Sequence, residues 1–307
     1  MAVRRVGDAL SALLKPSAEV RGPSMGWDAG VWGVSAFGLS RRTTPMPRKS
    51  ATRSGGSVQT GAKPLRRRTP AKAIDLYYWP TPNGYKVSIM LEECRLPYRV
   101  VPLNIARGDQ FKPEFLAISP NNRMPAIVDP DGPGGRPISV FESGAILQYL
   151  GRKTGRFYPR AERARVEVDQ WLFWQMANLG PKAGECHHFR LYAPDRAAQQ
   201  YAIDRFTNEC NRLYGVMNRR LADRDFLAGA YTIADMACIG WASRWRRQGQ
   251  DIDDFPHLKR WLDRVLARPA VYQGMHIWVE EASKVSMEDP ATRRTLFGQR
   301  AREARES

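Results

Sequence analysis

Cysteine is scarce in this 307-residue chain. There are four, at Cys94, Cys186, Cys210 and Cys238, and none forms a C-x-x-C pair. That excludes a disulfide-stapled scaffold and removes the usual framework for a structural zinc site or a vicinal redox pair. Scattered single thiols fit a reducing compartment. A long apolar run is also missing. The stretch 29–39 is too short, and no window approaches the ~18 apolar residues of a membrane helix, so nothing is expected to span a bilayer. What is present suffices for a folded body. Apolar residues make up 43% of the chain and aromatics 10%, which excludes a wholly disordered protein.

Acidic residues are the other shortage, with 31 Asp and Glu against 48 Lys and Arg, a net charge of +17. Residues 1–72 hold 14 of the bases and 3 of the acids. They account for +11, and the remaining 235 residues carry +6, a mildly basic body. The excess argues against nucleic-acid binding except through the leading segment. Residues 1–72 show neither helical nor strand period, contain Arg66-Arg67-Arg68 and Gly55-Gly56, and read as a disordered basic extension. A targeting peptide, an electrostatic arm for nucleic acid or anionic lipid, and a translation start set too far upstream compete to explain it. The first and third are favoured.

Order begins near Ala73. Strands are predicted at 74–79, 97–102, 124–128 and 138–141, and helices at 85–95, 111–118 and 142–155. The last two strands form a hairpin across the Gly- and Pro-rich turn 129–137. This order gives a small α/β domain with a mixed sheet, thioredoxin-like, over residues 73–157. After Pro159 strand signals vanish. Helical periods at 163–179, 195–222, 232–245 and 256–267, with a loop at Gly180-Pro181, predict an all-helical domain over residues 163–276. Residues 277–307 read as a charged tail, either solvated or forming a last exposed helix.

Three junctions carry chemistry. In Trp79-Pro80-Thr81-Pro82-Asn83-Gly84 a strand gives way to a helix, with Thr81 suited to the N-cap and Pro82 to the first turn. A helix N-terminus favours an anion, and that anion can be a thiolate, with Thr81 and Asn83 as further donors. Around Met124-Pro125 a cis bond would present the Met124 backbone to an extended peptide. At Glu142-Ser143 a strand again meets a helix; Ser143 can hold a carboxylate and Glu142 an ammonium group, as in a γ-glutamyl head. Taken singly, each is an ordinary cap or turn. Together at one sheet edge they offer what glutathione requires: a thiolate site, a backbone ladder and an amino-acid clamp.

The segments Pro80–Gly84, Gly108-Asp109-Gln110-Phe111, Ser119-Pro120-Asn121-Asn122, Pro125-Ala126-Ile127-Val128, Phe141–Leu147 and Gln170–Gln175 resemble those of the cytosolic glutathione transferases. The likeness is strongest to the bacterial nu-class, glutathione-dependent disulfide-bond reductases, and the globular part of the yeast nitrogen-regulator prion protein is a more distant relative. It covers about two-thirds of the chain and implies a thioredoxin-like domain followed by a helical one, a homodimer, and a cytoplasmic location unless residues 1–72 target an organelle. It also implies roles for single residues. Thr81 and Asn83 would position the glutathione sulfur, and Gln110 would meet the glycine end. Met124, before Pro125 as the cis-proline, would supply the ladder. Glu142 and Ser143 would hold the γ-glutamyl group, and Arg205 would reach a second glutathione or the substrate side.

The Pro80–Gly84 loop contains no cysteine, so the chain cannot form a mixed disulfide there with its own sulfur. The implied chemistry is attack by a glutathione thiolate on a bound disulfide, with a second glutathione completing the exchange. Glutathione is then a co-substrate, small disulfides or electrophiles are the partners, and weak transferase or peroxidase activity is a further expectation. No metal is expected, because the adjacent residues Cys186-His187-His188 cannot all face one ion. The competing reading is a catalytically weak binding or regulatory protein on the same fold.

Overall fold

The computed structural model describes residues 72–300 except Arg196 and Glu288. The basic extension expected to be disordered therefore lies, apart from Lys72, outside the described residues. Four strands, β1 (Ile74–Tyr78), β2 (Tyr98–Pro102), β3 (Ala126–Asp129) and β4 (Ile138–Phe141), form one sheet in the order β2-β1-β3-β4. β2 runs parallel to β1, while β3 pairs antiparallel with both β1 and β4. This is the mixed thioredoxin-like sheet that the alternation of strand and helix signals predicts.

Strand β1 shows why the sheet is covered on both faces. Ile74, Leu76 and Tyr78 point to one side and are buried against α1 (Pro82–Cys94) and α3 (Ser143–Thr154). Tyr77 points to the other side and meets Phe115 of the short helix α2 (Pro113–Leu116), with Leu103 and Ala126 completing a small second core.

The rest of the described chain contains no further strand. It consists of α4 (Glu162–Trp174), α5 (Gly180–His187), α6 (Gln200–Arg220), α7 (Ile233–Ala242), α8 (Pro256–Leu266), α9 (Pro269–His276), α10 (Val279–Ser283) and α11 (Pro290–Phe297). Helix α1 joins the two halves. One side rests on the sheet and α3, the other on α7 and α9, so residues 84–91 are all buried. Close approach is achieved with glycines. A Cβ at Gly240 of α7 would stand 2.6 Å from the Pro82 carbonyl oxygen, and one at Gly274 of α9 would stand 2.7 Å from the Ile89 nitrogen. The Ser88 hydroxyl donates to the buried carbonyl of that same Gly274 at 2.7 Å.

Helix α7 is fixed by its N-terminus. Thr232 and Asp235 form a capping box, and the buried Asp235 carboxylate also accepts from the Leu227 N–H and the Trp261 indole. Burial lifts the Asp235 pKa to about 6 against the pull of these donors.

Two expectations are corrected. Gly180-Pro181 is no loop. The chain stays helical from Glu162 to Tyr192, passing through π-helical turns at Gln175–Leu179 and His188–Tyr192. A proline cannot donate to the carbonyl one turn back, and the wider π turn just before it lets the helix continue. Of the two readings of residues 277–307 the helical one holds within 279–297, but α10 and α11 fold back across both halves instead of standing exposed.

Candidate active site

The site begins where β1 hands over to α1. Thr81 is extended (φ −127°, ψ 162°) and caps the helix, its Oγ1 accepting from the Gly84 N–H at 3.2 Å. Its own hydroxyl proton points at Met124 Sδ, 3.4 Å away, a weak acceptor that a thiolate would outcompete. Gly84 makes this approach possible, because a Cβ there would lie 2.4 Å from the Trp79 carbonyl and 3.0 Å from Met124 Cε. Asn83 is turned by the helical half of the molecule. Trp241 Nε1 donates to Asn83 Oδ1 at 3.2 Å, which leaves the Nδ2 amino group as the donor for a ligand.

The two other junctions lie nearby. The Met124–Pro125 bond is cis, and Pro125 is buried behind Met124. Glu142 has φ 68° and ψ 114°, a conformation that a non-glycine residue holds only when its surroundings compel it. It places the exposed Glu142 carboxylate 3.5 Å from Asn121 Nδ2 and starts α3 at Ser143. Ser143 is buried, and its Oγ accepts from Lys86 Nζ at 3.3 Å.

A cavity of about 330 Å³ joins the halves. Thr81, Asn83, Gln110 and Met124 line it; Pro125, Glu142 and Ser143 do not, Pro125 lying behind Met124 and Glu142 beside Asn121. Gln110 is buried, and its Nε2 donates to the Ile105 carbonyl at 3.2 Å, so its unpartnered atom is the acceptor Oε1. That atom suits a peptide N–H, such as the one at the glycine end that the resemblance implies. Arg205 is not brought to the cavity. It sits half-exposed on α6, 3.7 Å from Glu209.

The cationic wall comes instead from Arg244 and Arg247, at the turn after α7, and from Arg123. Arg244 donates to the Tyr85 hydroxyl at 3.1 Å. Next to them His187 is buried, and burial together with Arg244, Arg247 and Arg190 pushes its pKa down to about 3. His187 is therefore neutral at physiological pH. The sequence reading missed this wall, although the basic run Arg244-Trp245-Arg246-Arg247 was a visible signal.

The roof is apolar. Ala282, Val285, Met287, Leu296 and Phe297 close over the cavity. The Phe297 ring meets His188 and Tyr192 with centroids 4.6 Å and 5.9 Å away, and Arg293 donates to the Tyr192 carbonyl. All four cysteines are buried and none lines the cavity. Among the described residues, no group of three or more His, Cys, Asp or Glu gathers as a metal site. The arrangement supplies donors for an anion at the α1 end, a cationic flank, and no thiol of its own.

Residues 81–153 match the model of the glutathione S-transferase N-terminal domain, and residues 185–269 that of the C-terminal domain. The disulfide-bond oxidoreductase YfcG of Escherichia coli is 49% identical over 204 residues, covering 66% of this chain and 94% of the relative. A glutathione transferase from Pseudomonas putida, solved with one glutathione disulfide per subunit, superposes with a TM-score of 0.65 at 41% identity, over 70% of this chain and 94% of that one. One from Burkholderia graminis, solved with two glutathione molecules per subunit, gives 0.63 at 42% identity, over 66% and 87%.

Proposed function

The chain belongs to the glutathione S-transferase family, and from this we propose that it is a glutathione-dependent disulfide-bond oxidoreductase. The observation that carries the reading is the pairing of Thr81 and Asn83 donors at the start of α1 with a cavity that contains no cysteine. The reactive sulfur then comes from the bound tripeptide.

A thiol of pKa ~8.5 is mostly protonated at neutral pH, and each unit of lowering is worth ~1.4 kcal/mol of preferential thiolate binding. Helix-end N–H groups with Thr81 and Asn83 supply that preference. The thiolate attacks one sulfur of a bound disulfide, forming a glutathione mixed disulfide and expelling the other sulfur as a thiolate. A second glutathione attacks the mixed disulfide, giving glutathione disulfide and the second thiol. Two glutathiones are oxidised for each disulfide reduced. Arg244, Arg247 and Arg123 supply the positive field that draws the second, carboxylate-bearing tripeptide, the part first assigned to Arg205. The apolar roof around Met287, Leu296 and Phe297 accommodates the non-glutathione half of a mixed disulfide, or an electrophile in a weaker transfer reaction.

The exposed apolar side chains of Phe141, Val166 and Phe173, on the edge strand β4 and on α4, support a homodimer. The need for a reduced glutathione pool supports a cytoplasmic location, unless residues 1–72 target an organelle. The test is a glutathione-reductase-coupled assay with hydroxyethyl disulfide, run beside calorimetry with reduced and oxidised glutathione. Turnover with uptake of both is expected, and no uptake of either form would overturn the reading.

A further inference from the structure

A lysine lies behind the Ser143 junction with no anion to meet it. Lys86, on α1, is 1% exposed. Its Nζ donates to Gln175 Oε1 at 2.7 Å and Ser143 Oγ at 3.3 Å, and stands 3.3 Å from Met176 Sδ. All three are neutral, and among the described residues no carboxylate comes within ion-pairing distance of it. A buried ion without a counter-ion is unfavourable, and an apolar side chain of similar length would serve the core better.

The surroundings are nevertheless shaped to hold this ammonium. The π-helical turn Gln175–Leu179 interrupts a long helix at the residue that binds it. Gln175 is fully buried and leaves its Nε2 without a partner. A Cβ at Gly144 would meet Met176 Cγ at 3.2 Å, so glycine lets the start of α3 settle against Met176.

The arrangement fixes the direction of one proton. Ser143 Oγ accepts from Lys86, so its hydroxyl hydrogen turns elsewhere, and its nearest acceptor is Met176 Sδ at 3.7 Å, a poor one. The Ser143 hydroxyl is thus held as a donor at the start of a 12-residue helix, with a buried cation behind it.

We propose that Lys86 is a positioning residue whose buried ammonium acts through Ser143 to bind the α-carboxylate of the γ-glutamyl head. This rests on the glutathione reading and extends it to a residue outside the cavity lining. Burial lowers the Lys86 pKa to about 7, against smaller opposing effects of Cys238 on α7 and of Glu142 beside Ser143. The Cys238 thiol is itself pushed well up by burial and stays neutral. An arriving carboxylate favours the protonated lysine, so binding tightens below pH 7 and weakens above it.

The test is calorimetry with two ligands that have no free thiol. One is S-methylglutathione, and the other is the same tripeptide with 4-aminobutanoate in place of the γ-glutamyl residue, lacking only that carboxylate. Lys86→Met is expected to weaken the first by about tenfold or more, as for loss of a charge-assisted contact, and to leave the second within about twofold. Equal weakening of both means a structural role and overturns the proposal, as does no weakening of the first. If the variant does not fold, the native protein decides. Between pH 6 and 7.5, below the titration of either ligand's amine, the affinity for S-methylglutathione must fall while that for the truncated ligand stays level, and parallel or flat profiles overturn the proposal. A native chain that binds neither ligand refutes the underlying glutathione reading instead.

Discussion

The indole N–H of Trp241 and the side-chain carbonyl of Asn83 meet at 3.2 Å across 158 residues of sequence. One half of the molecule thereby chooses which end of the Asn83 amide is left free at the cavity. Trp241→Phe keeps the ring and removes the donor. A net loss of about 1 kcal/mol is expected for one hydrogen bond of this kind, or roughly five- to tenfold in kcat/KM for glutathione. In an Asn83→Ala background the same change should have almost no effect, because the two residues act as one unit. Full additivity would show that the contact does not orient Asn83.

Thr81→Ala combined with Asn83→Ala removes the side-chain donors at the start of α1 and leaves the backbone N–H groups. The fold should persist, because α1 is held by burial on nearly every side. Disulfide reduction should drop by about 10²-fold or more, the scale seen when preorganised donors to a developing anion are lost. Steady-state turnover of hydroxyethyl disulfide measures it, and unchanged turnover would contradict the thiolate site.

His187 ties stability to acid pH. Its pKa of about 3 in the fold lies below the ordinary 6.5 for histidine. Between those values the unfolded chain binds the extra proton, so folded stability is complete above pH 6.5 and falls as pH drops toward 3. The slope is at most about 1.4 kcal/mol per pH unit. Urea titrations at pH 7.5 and 4.5 should show a change on acidification about 2–3 kcal/mol more destabilising in the native protein than in His187→Phe, the buried Asp235 contributing equally to both. Identical losses would mean that His187 is not the titrating group.

Gly240 sets the distance between α7 and the Pro82 turn. An alanine Cβ would stand 2.6 Å from a backbone oxygen, which no rotamer can relieve. Gly240→Ala should destabilise the fold by about 1–3 kcal/mol through overpacking and should also displace Trp241 from Asn83. Thermal melts and kcat/KM should fall together. A stable variant with normal kinetics would show that the interface yields without moving the site.

The strands, the hairpin that joins the last two and the Thr81 cap were legible because their signals are local. Alternation, a capping residue and a proline in the first turn all act within a few positions. The cis bond before Pro125 was implied by the family resemblance and not by the residues themselves, and it is present. What escaped depends on contacts between distant segments. Arg205 looked suitable on its helix, but α6 carries it away from the cavity, and the turn after α7 brings Arg244 and Arg247 there instead. Val285, Met287, Leu296 and Phe297 stand too far apart among charged neighbours to show a period, so a roof read as a charged tail. Gly180-Pro181 was read as a break because a π turn leaves no mark in local composition.

The burial of every thiol has a consequence for durability. A cysteine nucleophile at an active site is exposed to oxidants that carry it irreversibly to sulfinic or sulfonic acid. Here the sulfur that would suffer such damage belongs to a small molecule that leaves with each catalytic cycle. The lifetime of the catalyst is thus uncoupled from the history of its reactive atom, and peroxide should exhaust the tripeptide long before it disables the protein.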